Sequence, residues 1–154
     1  MQRMIDRSDY PILIVEDNDE DFEVIQWALK KLSITTPIYR CDDGDDALDF
    51  LHHTGQYAQK ENSPRPALIL LDLNLTLMNG QEVLTRIKHD DALKMIPVII
   101  WTTSADPKDI EICFRQGANS YILKPMTFDK LLGAVDLLNQ YWFGVVKLPE
   151  ITEM

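Results

Sequence analysis

Polar side chains with a shared chemistry follow four short apolar runs of this chain. The residues that end these runs are Glu16, Asp17, Asp72, Thr102 and Lys124. Clustered carboxylates repel one another, so one acid stays protonated, a cation binds or the acids point apart. Oxygen ligands suit a hard cation such as Mg²⁺. A lysine would offset more of the charge, and a threonine hydroxyl would donate a hydrogen bond to an oxyanion. Together these groups suit phosphoryl transfer to a central carboxylate, with an aspartate as the nucleophile.

The apolar runs alternate with segments whose apolar residues recur at helical spacing. The runs predict strands at 12–16, 38–41, 67–72, 97–101 and 120–123, and the periodic segments predict helices that begin near residues 19, 43, 81, 107 and 127. Asp19 is expected to cap the first helix, and 54–66 is expected to form a loop. Strands that alternate with helices indicate an α/β fold with a parallel sheet covered on both faces. Function gathers at the carboxyl ends of such strands, where the five polar residues lie.

Three of these residues also have a plain structural interpretation when each is taken alone. Asp17 could cap the helix that follows it, Thr102 could satisfy backbone groups at a strand end, and Lys124 could be a solvated turn residue. The functional interpretation therefore depends on all five residues reaching the same edge of one sheet.

Composition restricts the class of protein. The chain has 154 residues, 15 of them basic and 25 acidic, which gives a net charge of −10. The length fits one domain, and the absence of a Lys or Arg run predicts that neither nucleic acid nor a membrane surface is a partner. No apolar stretch reaches the ~18 residues of a membrane span, and the N-terminus does not look like a signal peptide. Cys41 and Cys113 have no zinc-ligand spacing, so we expect a cytoplasmic protein with two core thiols.

The chain resembles the receiver domains of two-component response regulators, roughly from Ile12 to Tyr141. The segments that carry the resemblance are Ile-Leu-Ile-Val-Glu-Asp-Asn (12–18), Leu-Ile-Leu-Leu-Asp-Leu-Asn-Leu (68–75), Asn-Gly (79–80), Ile-Pro-Val-Ile-Ile-Trp-Thr-Thr (96–103) and Gly-Ala-Asn-Ser-Tyr-Ile-Leu-Lys-Pro (117–125). Each segment is weak evidence alone, but the set is specific in this order and spacing. The resemblance implies a flavodoxin-like (βα)5 three-layer sandwich with the parallel sheet order 2-1-3-4-5. It also implies a signalling protein that is not an enzyme beyond its own Mg²⁺-dependent phosphorylation and dephosphorylation.

The resemblance implies a role for each residue around the phosphoryl group. Asp72 would be the phosphoacceptor, Thr102 would donate its hydroxyl to the phosphoryl group, and Lys124 would pair with that group. Tyr121 would be the aromatic switch residue that turns inward when Thr102 moves. The peptide bond between Lys124 and Pro125 would be cis, a state that is rare except before proline.

The resemblance also implies a set of metal ligands. Mg²⁺, for which Mn²⁺ could substitute, would be bound by Asp17, by Asp72 and by the backbone carbonyl of Asn74, and through a water molecule by Glu16. Two residues depart from the family pattern. Glu16 stands where an aspartate is commoner, which predicts an altered water-mediated contact. Thr76 stands where a proline is usual, which predicts a looser loop after Asp72.

A narrower resemblance connects the chain with the small regulators that serve cyanobacterial phytochromes. It rests on the loop Tyr57…Asn62-Ser63-Pro64-Arg65-Pro66, on Leu-Leu-Asp-Leu-Asn-Leu (70–75) and on the aromatic C-terminal extension. This resemblance implies that a sensor histidine kinase, in particular a phytochrome, is the phosphodonor. It also implies homodimers that use the last strands and helices.

The final helix and tail carry more apolar residues than one buried helix face requires. One stripe that suits packing on the sheet consists of Leu131, Val135, Leu138 and Trp142. The surplus consists of Ala134, Leu137 and Tyr141 on another face, and of Phe143, Val145, Val146 and Leu148 in the tail. Such a patch predicts a homodimer, and the alternative is that the tail folds back over the second stripe. We divide the chain into an N-terminal extension (1–10), a receiver domain (11–143) and a tail (144–154).

Two other functions compete with a phosphorylated receiver. Asp-Leu-Asn-Leu-Thr (72–76) resembles the Asp-x-Asp-x-Thr signature of haloacid-dehalogenase phosphatases, which also form an aspartyl-phosphate. Against this interpretation, Asn74 cannot act as the general acid of that signature, the motif lies on the third strand, and the acidic pair precedes the nucleophile. The second competitor is a pseudo-receiver that only binds partners, although all five chemical positions are filled.

Overall fold

Five parallel strands form a single sheet in the order 2-1-3-4-5, as predicted. The computed structural model describes residues 10–150. The strands are β1 (Ile12–Val15), β2 (Ile38–Cys41), β3 (Leu68–Leu71), β4 (Val98–Thr102) and β5 (Ser120–Leu123). The helices between them are α1 (Asp19–Lys31), α2 (Gly44–His52), α3 (Gly80–Lys88), α4 (Pro107–Arg115) and α5 (Phe128–Gln140).

The register of the sheet aligns the carboxyl ends of its central strands. Val15 of β1 lies opposite Leu71 of β3, and Leu71 in turn lies opposite Ile100 of β4. Thr102 at the end of β4 lies opposite Leu123 of β5. The ends of β1 and β3 are level, and β4 and β5 extend two residues further in the same direction, so the residues that follow the strands emerge at one edge of the sheet.

Both faces of the sheet are covered, which explains why the strands are continuous apolar runs. One apolar cluster contains side chains from α2, α3 and α4, and the other contains side chains from α1 and α5. Cys41 and Cys113 are fully buried free thiols, so the prediction of two core cysteines is confirmed. None of the described helices is long and apolar enough to cross a membrane.

Local sequence accounts for the start of α1, although the predicted cap is wrong by one residue. The N-cap is Asn18, whose side chain accepts a hydrogen bond from the Asp21 N–H at 2.9 Å. Asp19 is already helical, and its carboxylate pairs with Arg40 at 2.8 Å. Asn and Asp are about equally good caps, so composition alone did not decide between adjacent positions.

The prediction of a cis bond before Pro125 is wrong for this structure. No cis peptide bond occurs among residues 10–150, so the bond between Lys124 and Pro125 is trans. Trans is the preferred state of such bonds by about 0.5–1 kcal/mol. Lys124 reaches Asp72 without a cis bond, because its ammonium group lies 2.9 Å from the Asp72 carboxylate.

The end of the chain combines a buried side with an exposed apolar side. A short π-helical segment, Tyr141–Val145, follows α5 and buries Phe143, while Leu148 packs against the cluster beneath α1 and α5. The side chains that stay exposed on the other side are Leu137 (66%), Tyr141 (54%) and Val145 (72%). The tail therefore folds back in part, but it leaves this surface, which we call the α5 patch, uncovered by residues 10–150.

Candidate functional site

Three carboxylates converge at the carboxyl ends of β1 and β3. One oxygen from each of Glu16, Asp17 and Asp72 lies within 4.8 Å of the others. The Asp72 N–H donates to the Val15 carbonyl at 3.1 Å, so the ladder between β1 and β3 continues past the strands and sets the acids side by side. Glu16 is 1% exposed and Asp72 is 3% exposed. Like charges buried this closely require a positive partner.

Lys124 supplies one positive partner from the end of β5. Its Nζ lies 2.8 Å from Glu16 Oε1, 2.9 Å from Asp72 Oδ2 and 2.7 Å from Asp21 Oδ2. Burial alone would lower the pKa of Lys124, but the bonds to Asp21, Glu16 and Asp72 outweigh burial and hold its pKa above the usual value. The lysine therefore stays charged and points at the central acid.

Asp21 is a member of this cluster that sequence reasoning missed. It lies in the first turn of α1, where an acid is ordinarily explained by the helix dipole. Its position four residues after Asp17 was the available signal, because the first turn of a helix that follows β1 faces the same edge of the sheet.

Burial also changes the protonation of Glu16. It raises the pKa of Glu16 from its usual 4.5 to about 7, against the opposing contact with Lys124 and with a further contribution from the charge of Asp72. Lys124 therefore does not fully compensate the acids. A cation next to Glu16 would favour its ionised form.

The loop after β3 folds closely around Asp72. The Asn74 N–H donates to Asp72 Oδ1 at 3.1 Å, and the Gly80 N–H donates to the Leu73 carbonyl at 3.0 Å. A Cβ on Gly80 would lie 2.2 Å from the Asp72 carbonyl oxygen. A glycine is therefore required at position 80 because two backbone segments approach closely there, and not because of an unusual backbone conformation.

The contact between Thr76 and Asp17 is a second feature of the site that sequence reasoning missed. Its N–H and its hydroxyl both donate to Asp17 Oδ2, at 3.2 and 2.9 Å. The loop was expected to be looser because Thr76 replaces a proline. The structure instead joins the loop to Asp17, the second residue after the end of β1.

Thr102 and Tyr121 lie on the β4 and β5 side of the site. Thr102 is fully buried, and its hydroxyl oxygen accepts weak hydrogen bonds from the Asn74 side chain and the Ser104 N–H, each at 3.4 Å. The Tyr121 hydroxyl donates to the Ser104 carbonyl at 2.8 Å, and its ring packs against the cluster beneath α2, α3 and α4. Tyr121 is therefore partly buried, and its hydroxyl is fixed on the segment that follows Thr102.

The donor set fits a hard divalent cation. All three clustered groups are carboxylates, the ligands that Mg²⁺ and Mn²⁺ prefer in proteins. Burial and, to a lesser degree, the charge of Asp72 raise the pKa of Glu16, and a cation at the cluster would oppose both effects. The structure therefore brings together all the predicted acids, with the predicted lysine and threonine beside them.

Comparisons with known proteins agree with this arrangement. Residues 12–136 match the family model of the response regulator receiver domain. The chain is 40% identical to response regulator Rcp1 of Synechocystis sp. over 148 residues, which cover 95% of this chain and 99% of that protein.

Solved structures show the same likeness. The Mn²⁺-bound form of Rcp1 has 39% identity and a TM-score of 0.83, and the phosphorylated cyanobacterial phytochrome response regulator RcpA has 38% and 0.84. Each comparison covers 92% of this chain and 99% of the other. The bacteriophytochrome response regulator RtBRR has 34% identity and a TM-score of 0.72 over 93% of this chain and 84% of its own. The chain therefore belongs to the family of response regulator receiver domains.

Proposed function

We propose that Asp72 is the phosphoacceptor of this receiver domain. The observation that carries the proposal is the position of the Asp72 carboxylate, which contacts the Lys124 ammonium group at 2.9 Å and lies within 4.8 Å of the acidic pair Glu16 and Asp17. An oxygen of Asp72 forms the new bond to phosphorus while the bond between phosphorus and the donor, the imidazole nitrogen of a phosphohistidine, breaks.

Each neighbour of Asp72 has one task in this step. Asp17, Asp72 and the Asn74 carbonyl would hold Mg²⁺ directly, and Glu16 would hold it through a water molecule. The cation, or Mn²⁺ in its place, would neutralise charge on the phosphoryl oxygens. Lys124 has three N–H donors and three carboxylate partners, so a phosphoryl oxygen can replace Asp72 while the other two partners keep the ammonium group in place.

Thr102 and Tyr121 would carry the signal away from the site. Asn74 and Ser104 make only long hydrogen bonds to the Thr102 hydroxyl, so the hydroxyl is free to rotate and donate to a phosphoryl oxygen. The Ser104 N–H donates to the Thr102 hydroxyl, and the Ser104 carbonyl accepts from the Tyr121 hydroxyl. A movement of Thr102 would therefore reach Tyr121 through Ser104. Phosphorylation would then bias an existing equilibrium of Tyr121 toward its inward position.

The phosphodonor we propose is a sensor histidine kinase, in particular a phytochrome. Similarity to RcpA and RtBRR, whose names state a link to phytochromes, supports this partner. We place the protein in the cytoplasm, because Cys41 and Cys113 are both free thiols. The receiver domain would span 11–143, which includes the residues that match the family model.

We also propose a homodimer in which the α5 patch of one protomer meets the same patch of its partner. Leu137, Tyr141 and Val145 are each more than half exposed, and contiguous apolar surfaces of this kind commonly mark interfaces. In a two-fold dimer one patch would serve both protomers. We propose no contact with nucleic acid, since the net charge is −10.

Intact-mass spectrometry with acetyl phosphate tests the proposed phosphorylation. The native protein should gain one phosphoryl group in Mg²⁺ and none in EDTA, and Asp72→Asn should gain none. A native protein that gains nothing would be a pseudo-receiver that only binds partners. A phosphatase of the haloacid-dehalogenase type is disfavoured because Asn74 bonds to Thr102 and Thr103 through its amide and offers no acid.

A further inference from the structure

The three clustered acids are held in place by different parts of the chain. Glu16 and Asp72 both contact Lys124. Asp17 does not contact Lys124, and within residues 10–150 its carboxylate makes hydrogen bonds only to Thr76. The position of Asp17 therefore depends on the loop after β3 and not on the lysine.

Both donors of Thr76 bind the same oxygen of Asp17. The N–H and the hydroxyl lie 3.2 and 2.9 Å from Oδ2, and Oδ1 keeps its capacity to accept another partner. A carboxylate fixed through one oxygen presents the other in a defined direction, as hydrogen-bonded partners behind metal ligands commonly do.

A proline at position 76 could make neither contact, because it has no N–H and no hydroxyl. Leu75 before Thr76 and Met78 after it pack against the apolar cluster beneath α2, α3 and α4, whereas the two residues between them are exposed. Thr76 itself is exposed, and Leu77 is 88% exposed. The φ of Leu77 is 66°, which lies in a backbone region that residues other than glycine seldom occupy. The tie to Asp17 is therefore a specific contact and not a consequence of burial.

We propose that Thr76 is a positioning residue that holds Asp17 in place for the divalent cation. The proposal rests on the proposed function, in which Asp17 is a direct ligand. Thr76 touches neither the cation nor the phosphoryl group and acts through Asp17 alone. It replaces the rigidity of a proline with two hydrogen bonds that orient a ligand.

A graded series of substitutions tests this role through Mg²⁺ binding, measured by isothermal titration calorimetry at constant pH and ionic strength. Thr76→Ser keeps both donors and should bind Mg²⁺ within about 2-fold of the native protein. Thr76→Val keeps only the N–H and should bind about 3- to 5-fold more weakly, and Thr76→Pro, with neither donor, about 10-fold more weakly. Loss of a residue that hydrogen-bonds to a metal ligand typically weakens metal binding about 10- to 100-fold. We expect values at or below the low end of this range because Thr76 is exposed.

Two comparisons separate positioning from a general effect on the fold. Thr85→Val removes a hydroxyl that donates to the Gln81 carbonyl within α3 and bonds to no other group in the part of the chain that the structure describes. It should leave Mg²⁺ affinity unchanged. In an Asp17→Ala background, Thr76→Val should cause no further loss, because the residue through which it acts is gone.

The outcomes distinguish this proposal from the proposed function. If Asp17→Ala weakens Mg²⁺ binding but Thr76→Val binds as tightly as Thr76→Ser, the positioning role is wrong and the metal site stands. Tighter binding by Thr76→Val would show that the threonine competes with the cation for Asp17, which also overturns the proposal. If Asp17→Ala binds Mg²⁺ like the native protein, the ligand assignment and the role of Thr76 fail together.

Discussion

Replacing Gly80 with alanine should damage the site by moving the backbone of the phosphoacceptor. An added Cβ would lie 2.2 Å from the Asp72 carbonyl oxygen and 2.6 Å from Leu73 Cα. Both are backbone atoms, so no side-chain rotation can make room, and one segment must move by about 1 Å to restore ordinary contact. That shift would separate Asp72 from the lysine that now lies 2.9 Å away.

The magnitude follows from two opposing effects. Forcing a methyl group into a packed region costs about 1–3 kcal/mol. Gly80 is the first residue of α3, so the opposing stabilisation of about 0.5–1 kcal/mol that alanine brings to the middle of a helix applies only in part. We therefore expect Gly80→Ala to lower the free energy of unfolding by about 1–2 kcal/mol. Mg²⁺ binding should weaken as well, since the Asp72 carboxylate would be displaced.

Urea denaturation followed by circular dichroism, in EDTA, measures this change. The matched control is Gly133→Ala in α5, where no atom lies within 4 Å of the added Cβ and the free energy of unfolding should rise by about 0.5–1 kcal/mol. A Gly80→Ala protein as stable as the native protein, with unchanged Mg²⁺ affinity, would refute the argument from close approach.

Three further predictions concern the metal, the charge of the site and the dimer. Removing Asp17 should weaken Mg²⁺ binding more than removing Glu16, because a direct ligand loses a bond and a water-mediated one loses only orientation; equal losses in calorimetry would contradict this ranking. Folding raises the pKa of Glu16 from 4.5 to about 7, so between pH 4.5 and about 7 the folded state holds a proton that the unfolded state has released. Without metal, the free energy of unfolding should therefore fall as pH rises through this window, by up to about 3 kcal/mol. Glu16→Gln should remove most of this fall in urea titrations, and an unchanged slope would argue against it. In sedimentation velocity the native chain should run as a dimer at micromolar concentration. The double variant Leu137→Glu with Tyr141→Glu should run as a folded monomer. A native chain that stays monomeric, phosphorylated or not, would exclude the dimer.

The sequence was sufficient to predict the order of the elements and the central residues of the site. Continuous apolar runs can be buried only in a sheet covered on both faces, and a parallel sheet delivers the residues that follow its strands to one edge. Glu16, Asp72 and Lys124 were therefore predictable, because each immediately follows or ends such a run. The bounds of several elements differed by one or two residues, as element ends commonly do. The start of α1 was predicted correctly, but its cap was not, because Asn18 and Asp19 are about equally good capping residues.

The contacts that the sequence did not reveal come from outside these strand ends. Asp21 faces the site from the first turn of α1, and Thr76 reaches Asp17 across the loop after β3. Both depend on how a helix or loop is placed against the sheet, which periodicity does not determine. The state of the bond before Pro125 was inferred from resemblance alone and was wrong, since no local pattern in the sequence specifies it.

The central claim is that Asp72 accepts the phosphoryl group, and chemical mapping of the modified residue tests it most directly. After incubation with Mg²⁺ and acetyl phosphate, borohydride reduction converts an aspartyl-phosphate to homoserine, which peptide mass spectrometry locates in the sequence. The structure predicts homoserine at position 72 of the native chain and at no position of Asp72→Asn. Homoserine at Asp17 or Asp21 in the native chain would contradict the account, and so would 2-amino-5-hydroxypentanoic acid, the reduction product of a glutamyl-phosphate, at Glu16. Equal modification of Asp72→Asn would also contradict it.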